Sequence, residues 1–520
     1  MMCCVVRFRA ELYHLSRPEL EVVMDKIDSV EPTREQPRPE AGAMPVFVDL
    51  DGTLITSDSL VENMLGHIRS RHIKGAWEIV SWLRQGKAHL KSKIPCSLDV
   101  TQLPYRQSLI EYLRAAREQG RPIILATAST REIAEGVAGH LPLFDDLLTS
   151  TPEENLKGET KLLRIQEWCA SHGADQFEYI GDSRADSPIW AEASVVGLAG
   201  GATKDESTWR GQSKECFLFP AQKSPGVFPP ALKALRPYQW VKNTLVFLPL
   251  FLSGSWIALD LWLRAGLMFA SLCLASSAVY LINDLFDIES DREHPRKKNR
   301  PIAKGTLLPM DAVLLSGMLA CLAVLIPLIF QSPKMALASL VYMGVAALYT
   351  LWLKREVMID VIVLAGLYTF RILAGIVATG VVLSHWMLAF SMFLFLSLAM
   401  AKRYQEMHMP KTMNKDRVKG RDYFVDDMAI VSQIGTSAAI ASLVIFCLYI
   451  ESQARVHYEY PFVLWPIPPM ILYWLTRLWV IAHRGQLTDD PIVYTFKDKI
   501  SLAVLGGIGL LIVVAKGFFF

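Results

Sequence analysis

The sequence lacks paired cysteines and a strong charge of one sign. Its eight cysteines form no CxxC pair and no regular framework, so we expect reduced thiols in a protein that faces the cytosol, without a disulfide scaffold or a cysteine metal site. The formal net charge is +2 over 520 residues, which gives no indication of a nucleic-acid partner. Residues 1–43 contain no apolar core, which predicts a disordered leader rather than a signal peptide.

Apolar sequence is what the chain has in excess, and almost all of it follows residue 240. Hydrophobic residues make up 52% of the chain. Nine apolar segments, most of them long enough to cross a bilayer, lie at residues 243–258, 264–284, 308–330, 335–353, 357–381, 385–402, 428–450, 460–481 and 501–518. We therefore predict an all-α polytopic membrane domain over residues 237–520, with about nine transmembrane helices, of which the first is short and could be tilted or re-entrant.

Basic residues in the loops between these segments predict an orientation. They are concentrated after the even-numbered segments, as in the runs from Arg292 to Lys304 and from Lys402 to Arg421. By the positive-inside rule these loops face the cytoplasm. We predict a multi-pass protein of a bacterial inner membrane, with the preceding soluble domain on the cytoplasmic side.

A soluble α/β domain precedes the membrane segments. Val46-Phe47-Val48 and Ile123-Ile124-Leu125 are short apolar runs that end at polar turns, as buried parallel strands do, and residues 177–180 repeat the arrangement. We predict a Rossmann-like domain over residues 44–215. The prolines in residues 216–236 indicate a linker between the two domains.

Two carboxylates follow the first predicted strand. Asp49 and Asp51 stand two residues apart in the segment DLDGT, at the strand end where α/β folds bind ligands. One of them can attack phosphorus while the other handles the proton of the leaving group. Further along the chain come residues suited to phosphate oxygens and to Mg²⁺, in the order Thr127, Lys161, Asp182 and Asp186.

These four motifs in order resemble the haloacid dehalogenase superfamily of aspartyl phosphatases, over residues 44–215. The resemblance implies that Asp49 is the nucleophile and Asp51 the general acid/base, and that both also help to hold Mg²⁺. Lys161 would be the lysine that binds phosphate, with Lys157 as the competing candidate. A helical insertion at about residues 58–115 would be a small cap that selects the substrate. A domain kept only as a docking module is the alternative.

A second group of carboxylates closes the second apolar segment. Asp284, Asp287 and Asp291 are spaced i, i+3 and i+7, which places them on one face of a helix with Asn283 beside them. Such carboxylates repel one another unless a cation lies between them, and Mg²⁺ prefers a few carboxylates together with phosphate oxygens. We predict a site for Mg²⁺ and a diphosphate. A solvated acidic helix end is the alternative.

We call residues 283–291 the acidic segment; a basic loop that contains Lys298 and Arg300 follows it. Together with the apolar segments, these two features resemble the UbiA superfamily of intramembrane prenyltransferases. The resemblance implies that Asp284 and Asp287 serve catalysis by holding the metal. Aromatic members carry a second aspartate-rich motif near the end of the sixth segment, whereas this chain has AKRYQE at residues 401–406. Basic side chains there would bind phosphate directly. A role as anchors at the inner membrane face is the alternative.

That departure resembles the decaprenyl-phosphate phosphoribosyltransferase branch, as do the segment from Arg236 to Asn243, Tyr349 with Lys354, and Asp489-Asp490-Pro491. Arg371 lies within the fifth apolar segment, where it would pair with a lipid phosphate or a buried carboxylate. The resemblance implies a set of residues that bind phosphate or substrate in the membrane domain: Lys242, Asn243, Asn283, Lys298, Arg300, Lys354, Arg371, Lys402 and Arg403.

The sequence therefore predicts an Mg²⁺-dependent enzyme that transfers 5-phosphoribose from phosphoribosyl diphosphate to a polyprenyl phosphate. The fused phosphatase would then remove the 5-phosphate. Two alternatives stay open: an aromatic or quinone prenyltransferase that uses a prenyl diphosphate, and a membrane transporter with a regulatory phosphatase domain. The expected partners are the lipid and phosphoribosyl diphosphate, with no nucleic acid, and homo-oligomerisation is left open.

Overall fold

The computed structural model of the chain describes residues 43–96, 98–151, 154–212, 214–220, 229–381, 384–408, 413–414, 417–418, 422–487 and 490–517. The predicted leader lies outside the described residues except for its last residue, and so do residues 221–228 of the predicted linker. The domain limits proposed from the sequence stay predictions.

The α/β domain is built on a six-stranded parallel sheet with the order β3-β2-β1-β4-β5-β6. Its strands are β1 (Val46–Val48), β2 (Ile123–Thr130), β3 (Asp146–Ser150), β4 (Glu178–Gly181), β5 (Val195–Gly200) and β6 (Glu215–Pro220). Val46 of β1 is in register with Ile123 on one side and Glu178 on the other. Parallel strands end at the same edge, so the segments after β1, β2 and β4 meet there. The predicted Rossmann-like class is confirmed.

Helices cover both faces of this sheet. Val46 and Val48 belong to one apolar cluster and Phe47 to another, because successive side chains of a strand point to opposite faces. The helices of this domain are α1 (Ser59–Arg84), α2 (Lys87–Lys93), α3 (Gln107–Glu118), α4 (Arg131–His140), α5 (Glu159–His172), α6 (Ser187–Glu192) and α7 (Glu206–Arg210). α1 and α2 lie within the insertion that the sequence predicts to be a cap.

The second half of the chain is helical. It begins with α8 (Pro230–Ala234), a 3-10 stretch (Pro237–Phe247) and α9 (Leu248–Ser253). Two short strands of two residues each, β7 (Met413–Asn414) and β8 (Arg417–Val418), form an antiparallel pair between His408 and Met428. The remaining helices are α10 (Leu259–Phe286), α11 (Ile288–Glu293), α12 (Pro309–Ile329), α13 (Pro333–Leu351), α14 (Ile359–Thr379), α15 (His385–His408), α16 (Met428–Tyr449), α17 (Arg455–His457), α18 (Ile467–His483), α19 (Pro491–Thr495) and α20 (Lys499–Ala515).

Fewer helices than predicted have the length of a membrane span. Among the described residues, six are long and apolar enough: α10, α12, α13, α14, α15 and the helical run Val425–His457 around α16. α20 is apolar but shorter, and α18 has 17 residues. The first predicted segment is not one helix, because it is divided between the 3-10 stretch and the six-residue α9, which ends at Gly254 with a φ of +79°. The predicted count of nine is not confirmed.

The outer surface of these helices is apolar. On α12, Leu314, Met318 and Leu325 are exposed, while Leu319 and Ala323 between them are buried against the neighbouring helices. A soluble protein rarely exposes a continuous apolar surface of this kind. Such a surface fits lipid surroundings, where apolar side chains lose nothing by facing outward.

The two domains contact each other through α1 and α11. Leu65 of α1 lies in one apolar cluster with Leu285 and Ile288 of the membrane domain. Beside this cluster, both guanidinium nitrogens of Arg292 donate to the carboxylate of Glu62, at 2.7 and 2.8 Å. The cap helix of the α/β domain therefore packs directly on the short helix that follows α10.

Candidate active sites

The first candidate site lies at the edge of the sheet where β1 and β4 end. Asp49 follows β1, Asp182 follows β4, and Asp186 closes a short 3-10 turn beyond it. Oxygen atoms of these three carboxylates lie within 4.8 Å of one another. Carboxylate oxygens are the ligands that Mg²⁺ prefers. Three of the four predicted metal ligands thus lie together.

Lys161 is the cation that α5 brings to these carboxylates. Its side chain is almost fully buried, with Nζ 3.0 Å from Asp49 Oδ1 and 4.0 Å from Asp186 Oδ1. Nζ also donates to the Tyr179 hydroxyl at 3.0 Å, and that hydroxyl donates to Asp186 at 2.9 Å. Lys157, the competing candidate, is exposed to solvent. The geometry therefore favours Lys161 as the residue that meets a phosphate.

Asp51 is held apart from the other carboxylates. Its two oxygens accept from the Ser59 backbone nitrogen at 2.7 Å and from the Ser129 hydroxyl at 2.8 Å. Asp51 is not part of the group that could share a metal ion, because these two donors turn its carboxylate toward α1. Burial, followed by the charge of Asp58, raises the pKa of Asp51 to about 6. A carboxyl that titrates near neutral pH can both give and take a proton.

Gly52 allows the two catalytic loops to approach closely. Its φ is +74°, and a Cβ atom at this position would lie 2.1 Å from Oδ2 of Asp182. A side chain would therefore displace Asp182. Thr127 is fully buried on the neighbouring strand, and its hydroxyl accepts from the Ser129 backbone nitrogen at 3.0 Å. Thr127 thus lies one hydrogen bond away from the residue that contacts Asp51.

The crowding of carboxylates at this edge is energetically unfavourable without a cation. Burial raises the pKa of Asp49. Burial, followed by the charges of Asp49 and Asp186, raises the pKa of Asp182 to about 7. A raised carboxyl pKa means that the ionised form is disfavoured, and a nearby positive charge reverses this effect. The donor set therefore fits Mg²⁺.

The second candidate site lies where α10 ends. The helix breaks at Asp287, which follows α10 and precedes α11, so the predicted continuous helical face is interrupted. Asp284 and Asp291 nevertheless meet at one side chain, because Nη1 of Arg300 lies 3.1 Å from Asp284 and 2.5 Å from Asp291. Arg236 also forms an ion pair with Asp284. Two guanidinium groups thus neutralise these two acids.

Asp287 has different partners from the other two acids. Nζ of Lys354 lies 2.8 Å from its Oδ1, and the amide nitrogen of Asn283 donates to its Oδ2 at 3.0 Å. Lys354 also lies 3.4 Å from the amide oxygen of Asn283. The three predicted metal ligands therefore have two sets of basic partners, with Arg300 between Asp284 and Asp291 and with Lys354 at Asp287.

One oxygen of this site has no partner. Oδ1 of Asp291 is buried and accepts no hydrogen bond from any described residue. Burial raises the pKa of Asp291 to about 6, although the nearby Arg300 acts in the opposite direction. A buried carboxylate oxygen without a donor is costly, and it fits a ligand of a cation such as Mg²⁺.

A further polar cluster surrounds Asp490. Nζ of Lys242 lies 2.9 Å and Nζ of Lys402 lies 3.3 Å from its Oδ2. The Tyr368 hydroxyl donates to the same carboxylate, at 3.0 and 3.1 Å from its two oxygens. Asp489, the other acid of this motif, lies outside the described residues.

Arg371 extends this polar region into α14. Its Nε donates to the amide oxygen of Asn243 at 2.9 Å, and its Nη2 donates to the Tyr342 hydroxyl at 2.8 Å. Its guanidinium also lies 5.3 Å from the ring centre of Tyr368. The partners of Arg371 are therefore neutral oxygens and aromatic rings, and neither hydrogen bond is to the buried carboxylate that the sequence suggested.

Two of the predicted phosphate ligands have other surroundings. Arg403 is fully buried, with Nε 2.9 Å from Asp360, and it also pairs with Glu406. A buried guanidinium needs nearby carboxylates to offset its lost hydration. Nε and Nη2 of Arg403 have no hydrogen-bond partner among the described residues, and the role of Arg403 as a phosphate ligand stays a prediction. Lys298 lines a cavity at the domain boundary, and its role as a phosphate ligand also stays a prediction.

Among the residues of these clusters for which no role was predicted are Arg236, Tyr368 and Asp490. The available signal for Asp490 was its place in an Asp-Asp-Pro motif at the start of α19. Arg236 begins the segment from Arg236 to Asn243, which as a whole resembles the phosphoribosyltransferase branch, but nothing in that segment indicated a role for Arg236 itself. Tyr368 is one of many aromatic residues in an apolar segment, so no pattern distinguishes it.

Comparison with known proteins assigns both halves of the chain. Residues 244–497 match the model of the UbiA prenyltransferase family, and residues 46–190 match that of haloacid dehalogenase-like hydrolases. The protein y4nM of Sinorhizobium fredii (strain NBRC 101917 / NGR234) is 37% identical over 466 residues, which cover 88% of both chains.

Two further proteins resemble the membrane half. A decaprenyl-phosphate phosphoribosyltransferase of Mycolicibacterium smegmatis is 31% identical over 291 residues, covering 54% of this chain and 91% of that protein. The structure of a UbiA homolog from Archaeoglobus fulgidus bound to DMAPP and Mg²⁺ is 17% identical with a TM-score of 0.42, covering 55% of this chain and 99% of that one. The family matches and the apolar helices show a membrane protein that belongs to the UbiA prenyltransferase family and carries a haloacid dehalogenase-like hydrolase domain.

Proposed function

We propose that this chain transfers 5-phosphoribose from phosphoribosyl diphosphate to a polyprenyl phosphate of the decaprenyl type, and that its hydrolase domain then removes the 5-phosphate. The observation that carries this proposal is the basic cluster at Asp490, where Lys242 and Lys402 flank one carboxylate. Two ammonium groups beside one carboxylate leave positive charge for a phosphate bound directly, without a second metal ion. The name of the Mycolicibacterium smegmatis relative supports the same acceptor and the same transferred group.

In the proposed transfer, the bond between C1 of the ribose and the diphosphate breaks, and a bond from C1 to an oxygen of the lipid phosphate forms. Asp284, Asp287 and Asp291 would hold Mg²⁺, which supplies positive charge for the departing diphosphate. Lys354 and Arg300 already lie among these carboxylates, so they are placed to donate to diphosphate oxygens.

The acceptor would be held by the polar cluster around Asp490. Lys242 and Lys402 would bind the phosphate of the lipid, and Tyr368 keeps Asp490 hydrogen-bonded between them. Asp490 keeps the two ammonium groups close to each other in the absence of substrate, because it offsets their mutual repulsion. The side chains to which Arg371 donates hydrogen bonds, Asn243 and Tyr342, are both neutral. Its positive charge would therefore add positive potential to the same region.

In the hydrolase domain, Asp49 would attack the phosphorus of the 5-phosphate and form an aspartyl-phosphate. Asp51 would give its proton to the departing sugar oxygen, and it would then take a proton from the water that cleaves the aspartyl-phosphate. Lys161 would neutralise phosphate oxygens. Asp49, Asp182 and Asp186 would hold Mg²⁺, which offsets charge on the transferred phosphoryl group.

We place both sites at the cytoplasmic face of a bacterial inner membrane. The basic loops between Arg292 and Lys304 and around Lys402 support this orientation. The contact between α1 and α11 supports the same side for both sites, because the hydrolase domain lies against the acidic segment.

The choice between Lys161 and Lys157 can be tested in the hydrolase reaction. Lys161→Ala should lower kcat/KM for p-nitrophenyl phosphate by about a hundredfold or more, as expected when one preorganised donor is lost. Lys157→Ala is the matched control and should stay within about twofold of the parent, because that side chain is exposed. The opposite order of the two effects would assign the role to Lys157.

The two proposed reactions should be separable by single substitutions. Asp49→Asn should abolish phosphate release and leave pentose transfer intact, because it removes the nucleophile alone. Asp284→Asn and Asp287→Asn should each lower transfer by about a hundredfold, as at other metal sites that lose a ligand or its orienting partner. Both rates are measured on each purified full-length variant. Normal transfer at low Mg²⁺ in the double variant would leave the acidic segment without a catalytic role.

The donor is tested by product analysis. Purified protein is incubated with phosphoribosyl diphosphate and polyprenyl phosphate, and the lipid fraction is examined by mass spectrometry for an added pentose. We expect a phosphopentose-bearing lipid from the Asp49→Asn variant and a pentose-bearing lipid from the parent protein. Robust prenylation of an aromatic acceptor from a prenyl diphosphate, with no pentose-bearing lipid, would instead establish the aromatic prenyltransferase alternative.

A further inference from the structure

The short helix α11, which has only six residues, carries Asp291, one of the three carboxylates predicted to bind the metal. A helix of this length is not stable by itself in water, so its neighbours determine its conformation. Ile288 and Asp291 are buried on its inner side. Its other side is bonded to the hydrolase domain at three positions: Glu289 to Arg69, Arg292 to Glu62, and Glu293 to Gln102.

The pair of Glu62 and Arg292 is the most buried of these bonds. The two side chains are 3% and 9% exposed, and both oxygens of Glu62 accept from Arg292. Nε of Arg292 donates to the Ala303 carbonyl oxygen at 3.1 Å, which ties the basic loop to the same point. Loss of either partner would leave the other charge buried and unpaired. The position of α11, and of Asp291 within it, therefore depends on a residue of the hydrolase domain.

The same turn of α1 also contacts the hydrolase site. The backbone nitrogen of Ser59, the first residue of α1, donates to Asp51. Glu62 follows three residues later, about 5 Å further along the helix axis. A single helical turn thus contacts the proposed acid/base of one site and the helix that carries Asp291 of the other.

We propose that Glu62 and Arg292 are positioning residues for the metal site of the membrane domain, so that the hydrolase domain completes that site. The inference rests on the proposed metal role of Asp291. Glu62 itself touches neither metal nor substrate, and it acts through Arg292 on the orientation of α11.

Mn²⁺ binding tests this proposal without any substrate. The probe is Mn²⁺ itself, measured by electron paramagnetic resonance on full-length protein that carries Asp182→Asn, which makes the hydrolase ligand set incomplete. Glu62→Gln and Arg292→Gln should each weaken Mn²⁺ binding by about tenfold to a hundredfold, as when an outer partner of a metal ligand is lost. The matched control is Glu78→Gln, because Glu78 lies on the same helix and pairs with His67 and Arg71 inside the cap.

Further measurements separate positioning from folding. In the parent background, Glu62→Gln should leave hydrolysis of p-nitrophenyl phosphate within about twofold, and the exchanged pair Glu62→Arg with Arg292→Glu should restore part of the Mn²⁺ affinity. Unchanged Mn²⁺ affinity in both single variants would overturn the proposal. This holds even if the thermal unfolding temperature of the variants falls, because a lower stability alone would show only a structural role. The outcome does not depend on which donor the transferase uses, since no donor is present.

A separate observation concerns the cavity of about 240 Å³ between the two domains. Its hydrolase wall includes Thr56, Gln102 and Arg106, and its membrane-domain wall includes Arg292, Lys298 and Lys304. None of its lining residues is acidic. A Cβ atom on Gly305, next to Lys304, would lie 2.1 Å from the Thr56 hydroxyl oxygen, so the two walls meet closely here.

The cations of this cavity differ in their availability. Arg106 donates to the carbonyl oxygens of Gly52 and Thr53, within the catalytic loop of the hydrolase, and Arg292 is occupied by Glu62. Within the described part of the chain, the side-chain ammonium groups of Lys298 and Lys304 have no hydrogen bond or ion pair, although both backbone nitrogens donate to carbonyl oxygens. Oε1 of Gln102 is buried and also lacks a partner. The cavity thus offers two ammonium groups for a phosphate and one acceptor for a hydroxyl group.

We infer that this cavity binds the phosphorylated sugar of the lipid-linked product, between the site that forms it and the site that hydrolyses it. This inference rests on the proposed function and specifies the substrate class of the hydrolase: a sugar phosphate monoester carried on a lipid phosphate. Lys304, held close to the hydrolase by the contact of Gly305 with Thr56, contributes charge that a small soluble phosphate ester does not need.

The test uses the phosphorylated lipid that the Asp49→Asn variant should accumulate. Lys304→Ala should lower kcat/KM for this lipid by about tenfold to a hundredfold, as when one charge-assisted hydrogen bond is lost, and leave p-nitrophenyl phosphate within about twofold. The control is Lys204→Ala, an exposed lysine of the hydrolase domain outside the cavity. Parent-like hydrolysis of the lipid by Lys304→Ala would overturn the cavity assignment. Absence of the lipid in the Asp49→Asn reaction would instead contradict the proposed function.

Discussion

Buried carboxylates can be gathered only where positive charge accompanies them, and both candidate sites depend on this constraint. At 4 Å two unit charges repel by about 4 kcal/mol at an effective dielectric constant of 20. In the hydrolase domain Lys161 lies between Asp49 and Asp186, and in the membrane domain Arg300 lies between Asp284 and Asp291. The same cations are donors that phosphate groups require. Under the proposed function, binding of Mg²⁺ with a phosphate therefore exchanges ionic partners within a site that is already assembled.

Much of the hydrolase domain could be predicted because its information is local. Short apolar runs mark β1, β2 and β4, and polar residues follow each of them, so the carboxylates of the first site could be assigned to one sheet edge. The lysine was predicted as Lys161 with Lys157 as the competing candidate, and the choice stayed open because it depends on which side of α5 faces the sheet. The separation of Asp51 from the other acids depends on Ser59 and Ser129, which come from a helix and a strand that the DLDGT motif does not specify.

The membrane domain was less predictable, because apolar composition is nearly uniform along it. Segment lengths indicated membrane helices, but they did not reveal the 3-10 stretch before α9 or the break at Asp287. Charged residues far apart in the chain find each other inside it. Lys402 and Asp490 are 88 residues apart and lie 3.3 Å from each other. Arg403, which follows Lys402 in the sequence, forms an ion pair with Asp360 instead. The local sequence around these two residues does not indicate which distant carboxylate each of them contacts.

Fusion of the two domains could serve only to raise local concentration, and a short flexible linker suffices for that, at about millimolar effective concentration. The contact between α1 and α11 goes beyond a tether. A buried ion pair such as that of Glu62 and Arg292 adds little net stability compared with apolar packing, because both charges lose their hydration. The ion pair does penalise orientations of the two domains in which Glu62 and Arg292 are separated. The apolar cluster around Leu65 and Ile288 stabilises the orientation in which the two domains are in contact. The structure therefore fixes the orientation of the hydrolase relative to the acidic segment, which a flexible tether would leave free.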